Sequence, residues 1–231
     1  MSREPPRQLA FDLPLDPRYG REDFLVSPSN ARAYALVERW PDWPDTVLRL
    51  EGPPGSGKSH LASIWATAAH AWTARGPEVT RESVPHLVSG GALVIEDADR
   101  GSRDEAALFH LLNLARERRA HVVLTASTPP DGWGLKTPDL LSRLRLAPSV
   151  TLDSPDDALL KAVLVKLFVD RQLVVDTTVV DALALRLERS LARAAEAVAA
   201  LDREALSRGR RITRAMAADL ISRLAPPEDE P

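Results

Sequence analysis

Gly52-Pro-Pro-Gly55-Ser-Gly57-Lys58-Ser59 sets glycines, a lysine and a hydroxyl at the spacing G-x-x-x-x-G-K-[ST]. That spacing suits the capture of a polyphosphate. Glycines let backbone N–H groups curl inward around phosphate oxygens. A helix that starts at Lys58 aims its positive end at the same anion. Lys58 then supplies a mobile charge to the β and γ phosphates, and Ser59 a hydroxyl to Mg²⁺. The candidate nucleotide ligands are Gly52, Pro53, Gly55, Ser56, Gly57, Lys58, Ser59 and His60.

A second constellation is Ala92-Leu-Val-Ile-Glu96-Asp97-Ala-Asp99, an apolar run that delivers acids to its end. Beside a phosphate loop, Glu96 is placed to hold the Mg²⁺ shell through water, and Asp97 to orient an attacking water. Glu96 is one methylene longer than the Asp commoner at such sites, and Asp97 is shorter than the usual Glu. The swap argues against fast intrinsic hydrolysis and leaves nucleotide binding intact. Ser127 and Thr128 end another apolar run; sensing of the γ-phosphate and simple capping of a strand end both account for them. Arg143 and Arg145 follow in "PDLLSRLRL", where a cation can reach a neighbouring subunit's nucleotide. Arg189 and Arg193 leave the apolar stripe of a later helix, either to reach phosphates or simply to be solvated.

These residues need a scaffold, and the periodicities supply one. Residues 27–40, 58–72 and 105–120 carry apolar residues at helical spacing, with Ala33, Leu36, Val37 and Trp40 inward in the first and Leu108, Leu111, Leu112 and Ala115 in the third. "PDWP" (41–44) stops the first helix. Strands are expected at 46–52, 77–82, 91–99 and 121–127, with one more short strand around Val150 and Leu152. Continuous apolar strands alternating with helices predict an α/β fold, a parallel sheet flanked by helices. After "DSPDD" (153–157) the pattern is helical throughout, at about 156–171, 176–188, 190–207 and 213–224. In the third of these Leu191, Ala194, Ala195, Val198 and Leu201 form the packed stripe. The expected organisation is a flexible tail (1–20), an α/β nucleotide-binding domain (21–154), a small all-α helical lid domain (155–224) and an acidic tail (225–231).

The chain has 231 residues, 44% hydrophobic and 27% charged, with net charge −3 and no cysteine. Disulfides and cysteine metal sites are excluded, and a cytoplasmic location is the default. No apolar run of about 18 residues exists, so no membrane partner is expected. The charge argues against non-specific DNA binding by the whole surface but permits a local basic patch. One oddity remains: Leu9, Phe11, Leu13 and Leu15 sit among prolines in the first tail.

"FLVSPSNARAYALVERWPDW", "GPPGSGKSHLA", "ALVIEDAD", "VVLTAST" and "PDLLSRL" occur in the order of the AAA+ ATPases related to the bacterial replication initiator DnaA. The resemblance covers about residues 7–224 and is strongest to the shorter regulators of that family, since the chain leaves no room for the initiator's C-terminal DNA-binding domain. It implies an AAA+ P-loop fold with ADP or ATP and Mg²⁺ bound. It also implies docking on the sliding clamp of DNA polymerase III, contact with DNA through that clamp, and stimulated ATP hydrolysis on DnaA, which makes the chain a negative regulator of replication initiation. Lys58 and Ser59 fall on the nucleotide ligands, Glu96 and Asp97 on the acidic pair, and Arg143 on the arginine finger, offered in trans. The family's sensor arginine falls near Ala192 or Arg193. Gln8-Leu9-Ala10-Phe11-Asp12-Leu13 resembles the Q-L-x-L-x-L clamp motif, with Gln8, Leu9, Phe11 and Leu13 as the contacts. A homodimer and a monomer are both compatible with this reading. Two other readings stand beside it: a DnaC-like helicase loader, and a scaffold that uses nucleotide only to fold.

Overall fold

β1 (Val47–Glu51), β3 (Ala92–Glu96) and β4 (His121–Ala126) are buried almost throughout, the polar Arg49, Glu51 and Thr125 included, because both faces of their sheet are covered. In a computed structural model that describes residues 19–224, they join β2 (Trp72–Arg75) and β5 (Ser149–Thr151) in a parallel sheet of order β2-β3-β4-β1-β5. Side chains alternate across it. Leu48, Leu50, Val94, Val123 and Val150 pack with Ala33 and Val37 of α1 (Ala31–Glu38) and with Leu61 and Trp65 of α2 (Lys58–Ala69). Val47, Leu93, Ile95, Val122 and Leu124 pack on the other side. There they meet Val84 of α3 (Val84–Leu87), Leu111 and Ala115 of α4 (Glu105–Arg118), and Leu140 and Leu144 of α5 (Pro138–Leu146).

Two expectations are corrected. Residues 77–82 do not form a strand: Gly76–Glu78 is a 3₁₀ turn, and the Ser83 and Thr80 side chains bond the Thr80 and Ser83 amides to close a second turn. The helix expected at 58–72 ends at Ala69, where His70 turns left-handed at φ 50°, and Trp72 opens β2 instead.

Of the described residues, 19–154 form one compact unit and 155–224 another. The second is built from α6 (Asp157–Asp170), α7 (Thr177–Arg186), α8 (Leu191–Arg208) and α9 (Arg214–Leu224). Each helix begins at a side-chain cap: Asp156, Asp176, Ser190 and Thr213 accept from the amides of Leu159, Thr178, Arg193 and Met216. Gly209, at φ 58°, ends α8. Leu164, Phe168, Leu183, Val198, Leu201 and Ala217 fill the core. On α8 the buried stripe is Ala194, Ala197, Val198, Leu201 and Ala205, while Leu191 and Ala195 lie at its half-exposed margin. Among the described residues no helix is long and apolar enough to cross a membrane. The stretch Gln8–Leu13 and residues 225–231 fall outside the described residues.

Candidate functional site

β4 lies between β1 and β3, so the C-terminal ends of three strands bring the phosphate loop, the acids and residues 125–128 together. Gly52 leaves β1 at φ 147°, its amide bonded to Ala126 O at 3.2 Å. A Cβ at Gly52 would stand 2.1 Å from Leu152 O, inside the backbone that follows β5. Gly57 caps α2 at φ 101°, a conformation open to glycine at little cost.

Within this loop Lys58 is buried, and its ammonium donates to Gly52 O at 2.6 Å and Pro53 O at 2.8 Å. Burial pushes its pKa below the ordinary 10.5, partly offset by Asp97, Asp99 and Glu96. Ser56 Oγ is buried without a hydrogen-bond partner among the described residues. An unmatched hydroxyl and a desolvated ammonium beside a helix N-terminus fit a phosphate group.

Glu96, Thr125 and Ser59 meet on the α2 side of the sheet. Glu96 Oε2 accepts from Thr125 Oγ1 at 2.6 Å and from Ser59 Oγ at 3.0 Å. Thr125 Oγ1 in turn accepts from the Asp97 amide at 2.9 Å. Asp97 adopts φ 50°, which turns the chain sharply off β3. The Ser59 hydroxyl and Glu96 carboxylate could hold Mg²⁺ with phosphate oxygens and water completing its shell. No group of three or more acids, histidines or cysteines able to hold a metal ion exists among the described residues.

Thr125 was not among the residues singled out by sequence. It is the one polar residue inside an otherwise apolar strand, and that was its available signal. Asp99 and Arg100 also belong here. Asp99 Oδ2 accepts from the amides of Ser127 (2.8 Å) and Thr128 (3.2 Å), and Arg100 donates to Ser127 Oγ at 3.2 Å. Ser127 and Thr128 are thus tied to Asp99, whereas Thr125 holds the acidic pair. His60 Nε2 pairs with Gly20 O at 2.8 Å, and its ring meets Phe24 edge-on, so it fastens residues 20–24 to the first turn of α2.

All four candidate arginines have local partners, with Arg145 held by Asp131 and Arg189 by Asp157 at 2.9 Å. The Arg143 guanidinium lies 5.1 Å from the centre of the Phe109 ring. Arg193, in the helical unit, pairs with Glu196 at 3.0 Å and Glu188 at 3.5 Å, and those contacts must exchange before it could hold a phosphate.

No family model matches the chain. It is 26% identical to the chromosomal replication initiator protein DnaA of Rhizobium meliloti over 175 residues, 63% of this chain and 36% of that protein. A putative insertion sequence ATP-binding protein of Sinorhizobium fredii is 28% identical over 152 residues, 57% of this chain and 48% of that one. The chain therefore spans between a third and a half of the curated relatives it matches. Among solved structures, domain III of the Thermotoga maritima replication initiation protein DnaA superposes with TM-score 0.77 at 19% identity, covering 93% of this chain and 100% of that one. AMPPCP-bound DnaA from Aquifex aeolicus gives 0.69 at 17% identity, covering 83% and 67%. The chain is thus similar in sequence to part of DnaA, and it shares the fold of DnaA domain III.

Proposed function

We propose that the chain is a nucleotide-bound regulator of replication initiation of the Hda kind. In this reading it docks on the DNA-loaded sliding clamp of DNA polymerase III and stimulates hydrolysis of the ATP held by DnaA. The observation that carries this is Gln8-Leu-Ala-Phe-Asp-Leu13, a clamp-type hexapeptide placed ahead of a DnaA-like nucleotide fold. Leu9, Phe11 and Leu13 would each contribute ~1.5–3 kcal/mol in an apolar groove before ordering costs. The net is micromolar binding, strengthened when two copies share one ring. A titration of clamp into wild type and a Gln8→Ala, Leu9→Ala variant tests it. The variant should bind about tenfold or more weakly, and equal affinity sinks the proposal.

The same reading assigns ADP or ATP with Mg²⁺ to the phosphate loop, with the helical unit as lid and Arg193 as its sensor. Lys58→Ala should weaken nucleotide binding by about 2–3 kcal/mol, roughly 30- to 150-fold, through loss of a charge-assisted contact. The pH dependence has a definite sign. Because the folded pKa of Lys58 is lowered, the unfolded chain holds the extra proton as pH approaches 10.5, so this group's cost to the fold shrinks in that window. A bound phosphate favours the ammonium, so nucleotide affinity should fall as pH rises through the lowered pKa. Calorimetry from neutral to alkaline pH checks it; a wild-type profile that stays flat up to 10.5 removes Lys58 as the phosphate ligand.

A second reading is a DnaC-like helicase loader, which would share the phosphate loop and need no clamp. A pull-down that recovers helicase and no clamp favours it. A third reading, a scaffold that uses nucleotide only for folding, predicts that Lys58→Ala keeps partner function once its fold is rescued.

A further inference from the structure

We propose that the corner where α8 runs into α9 is a contact surface for the phosphodiester backbone of a nucleic acid. Between positions 203 and 214 stand five arginines, Arg203, Arg208, Arg210, Arg211 and Arg214, against the single acid Glu204, in a chain whose net charge is −3. All five are exposed. The side chains of Arg203, Arg210, Arg211 and Arg214 make no hydrogen bond or ion pair among the described residues. Glu204 is already shared: it takes Arg208 at 2.6 Å and Arg223, from α9, at 2.6 Å. These contacts, Arg223 foremost, hold its carboxyl below the ordinary value, so it neutralises only one of two guanidinium groups.

An open cavity of about 420 Å³ lies between the two helices, bordered by Arg203, Ser207, Arg208 and Arg223, with the Glu204 carboxylate in the same wall. Three guanidinium groups against one carboxylate leave the hollow with an excess of positive charge, which suits a tetrahedral oxyanion with several acceptor oxygens. The turn adds a second argument. Thr213 caps α9, so Arg210, Arg211 and Arg214 crowd the end of the helix that already carries positive partial charge, with no acid in its first turn. Such placement is unfavourable in the isolated protein, and a bound anion relieves it.

The occupant follows from what the corner lacks. A protein partner needs an apolar centre, and among these exposed residues Leu206 is the lone large hydrophobic group. Asn and Gln, the usual readers of adenine edges, are absent from 203–223. Charge without an apolar anchor or base-reading side chains is the pattern of sequence-independent phosphate contact. The inference rests on the helical unit alone and stands even if clamp docking fails.

The test is fluorescence anisotropy with a short labelled duplex of mixed sequence, and with its single strand, titrated by the full chain at several salt concentrations. Three to four phosphate contacts give a slope of log affinity against log salt of about −3 to −4 on duplex and a shallower one on single strand. Arg210→Ala, Arg211→Ala, Arg214→Ala should bind at least tenfold more weakly, with the slope reduced by about 2–3 and the melting temperature unchanged or raised. Arg32→Ala, Arg39→Ala, which removes exposed charge from α1 and the residue that follows it, should bind like wild type. Triple-variant binding equal to wild type, an equal loss in the α1 control, or salt-insensitive binding overturns the proposal. Tighter binding of polyglutamate than of DNA at matched charge also overturns it, by assigning the corner to an acidic protein.

Discussion

Arg143→Ala is expected to leave nucleotide binding by this chain unchanged and to remove the stimulation of ATP hydrolysis in a mixture of ATP-bound DnaA and DNA-loaded clamp. An arginine that neutralises developing charge on a transferred phosphoryl group contributes about 10³-fold or more to the rate, or upward of ~4 kcal/mol. The structure gives Arg143 a holding place that costs little to leave. Its guanidinium rests over Phe109 of α4, a cation–π contact worth about 0.5–1 kcal/mol at an exposed site. Release is therefore cheap beside the catalytic gain. Phe109→Leu should retain full stimulation, because it removes the resting contact and not the cation. Arg143→Lys should recover little, since an ammonium lacks the planar fork. If Arg143→Ala stimulates as well as wild type, the finger is another residue. Arg145 would be a poor substitute while both Asp131 oxygens hold it.

Arg49→Met with Glu51 left in place should cost about 3–5 kcal/mol of stability, whereas Arg49→Leu combined with Glu51→Leu should cost far less. Arg49 and Glu51 lie on β1, are 6% and 7% exposed, and form an ion pair on the α5 side of the sheet. Arg49 also donates to Ala147 O at 3.2 Å, which ties the strand to the end of α5. Burial pushes the Glu51 carboxyl up and the Arg49 guanidinium down, each opposed by the other. Removing the cation leaves an unpaired buried carboxylate, and its pKa must rise further. A group with a raised folded pKa favours the fold at low pH and loses that contribution as pH climbs through the raised value. The single variant's deficit should therefore shrink toward acid pH. Urea unfolding at neutral and mildly acid pH checks both parts; a single variant no weaker than the double refutes the pairing.

What could be read from sequence was what depends on near neighbours. The phosphate loop is contiguous, its glycines answer to local backbone geometry, and α6 to α9 each announce themselves by a cap and an apolar stripe. β2 could not be found this way. Three of its four residues, Trp72, Thr73 and Arg75, are exposed at the sheet's edge, so no burial pattern marks it, while Val79 and Thr80 suggested a strand that the turn at Thr80–Ser83 forbids. Arg49 and Glu51 show the opposite failure. "VLRLE" alternates like a strand with one wet face, yet all five residues are buried because α5 closes over the polar side. Thr125 lies 29 positions from Glu96, and only the pairing of β3 with β4 reveals their contact.

The close approach of Leu152 O to Gly52 bears on how substitution scans of this loop should be interpreted. Alanine at Gly52 collides with a neighbouring backbone before any nucleotide arrives, so loss of binding there reports a broken strand end. Lys58→Ala removes a group whose present partners are two loop carbonyls, and its loss reports on ligand affinity directly. A map of tolerated residues that scores both positions alike would draw the binding footprint one residue too wide on the β1 side.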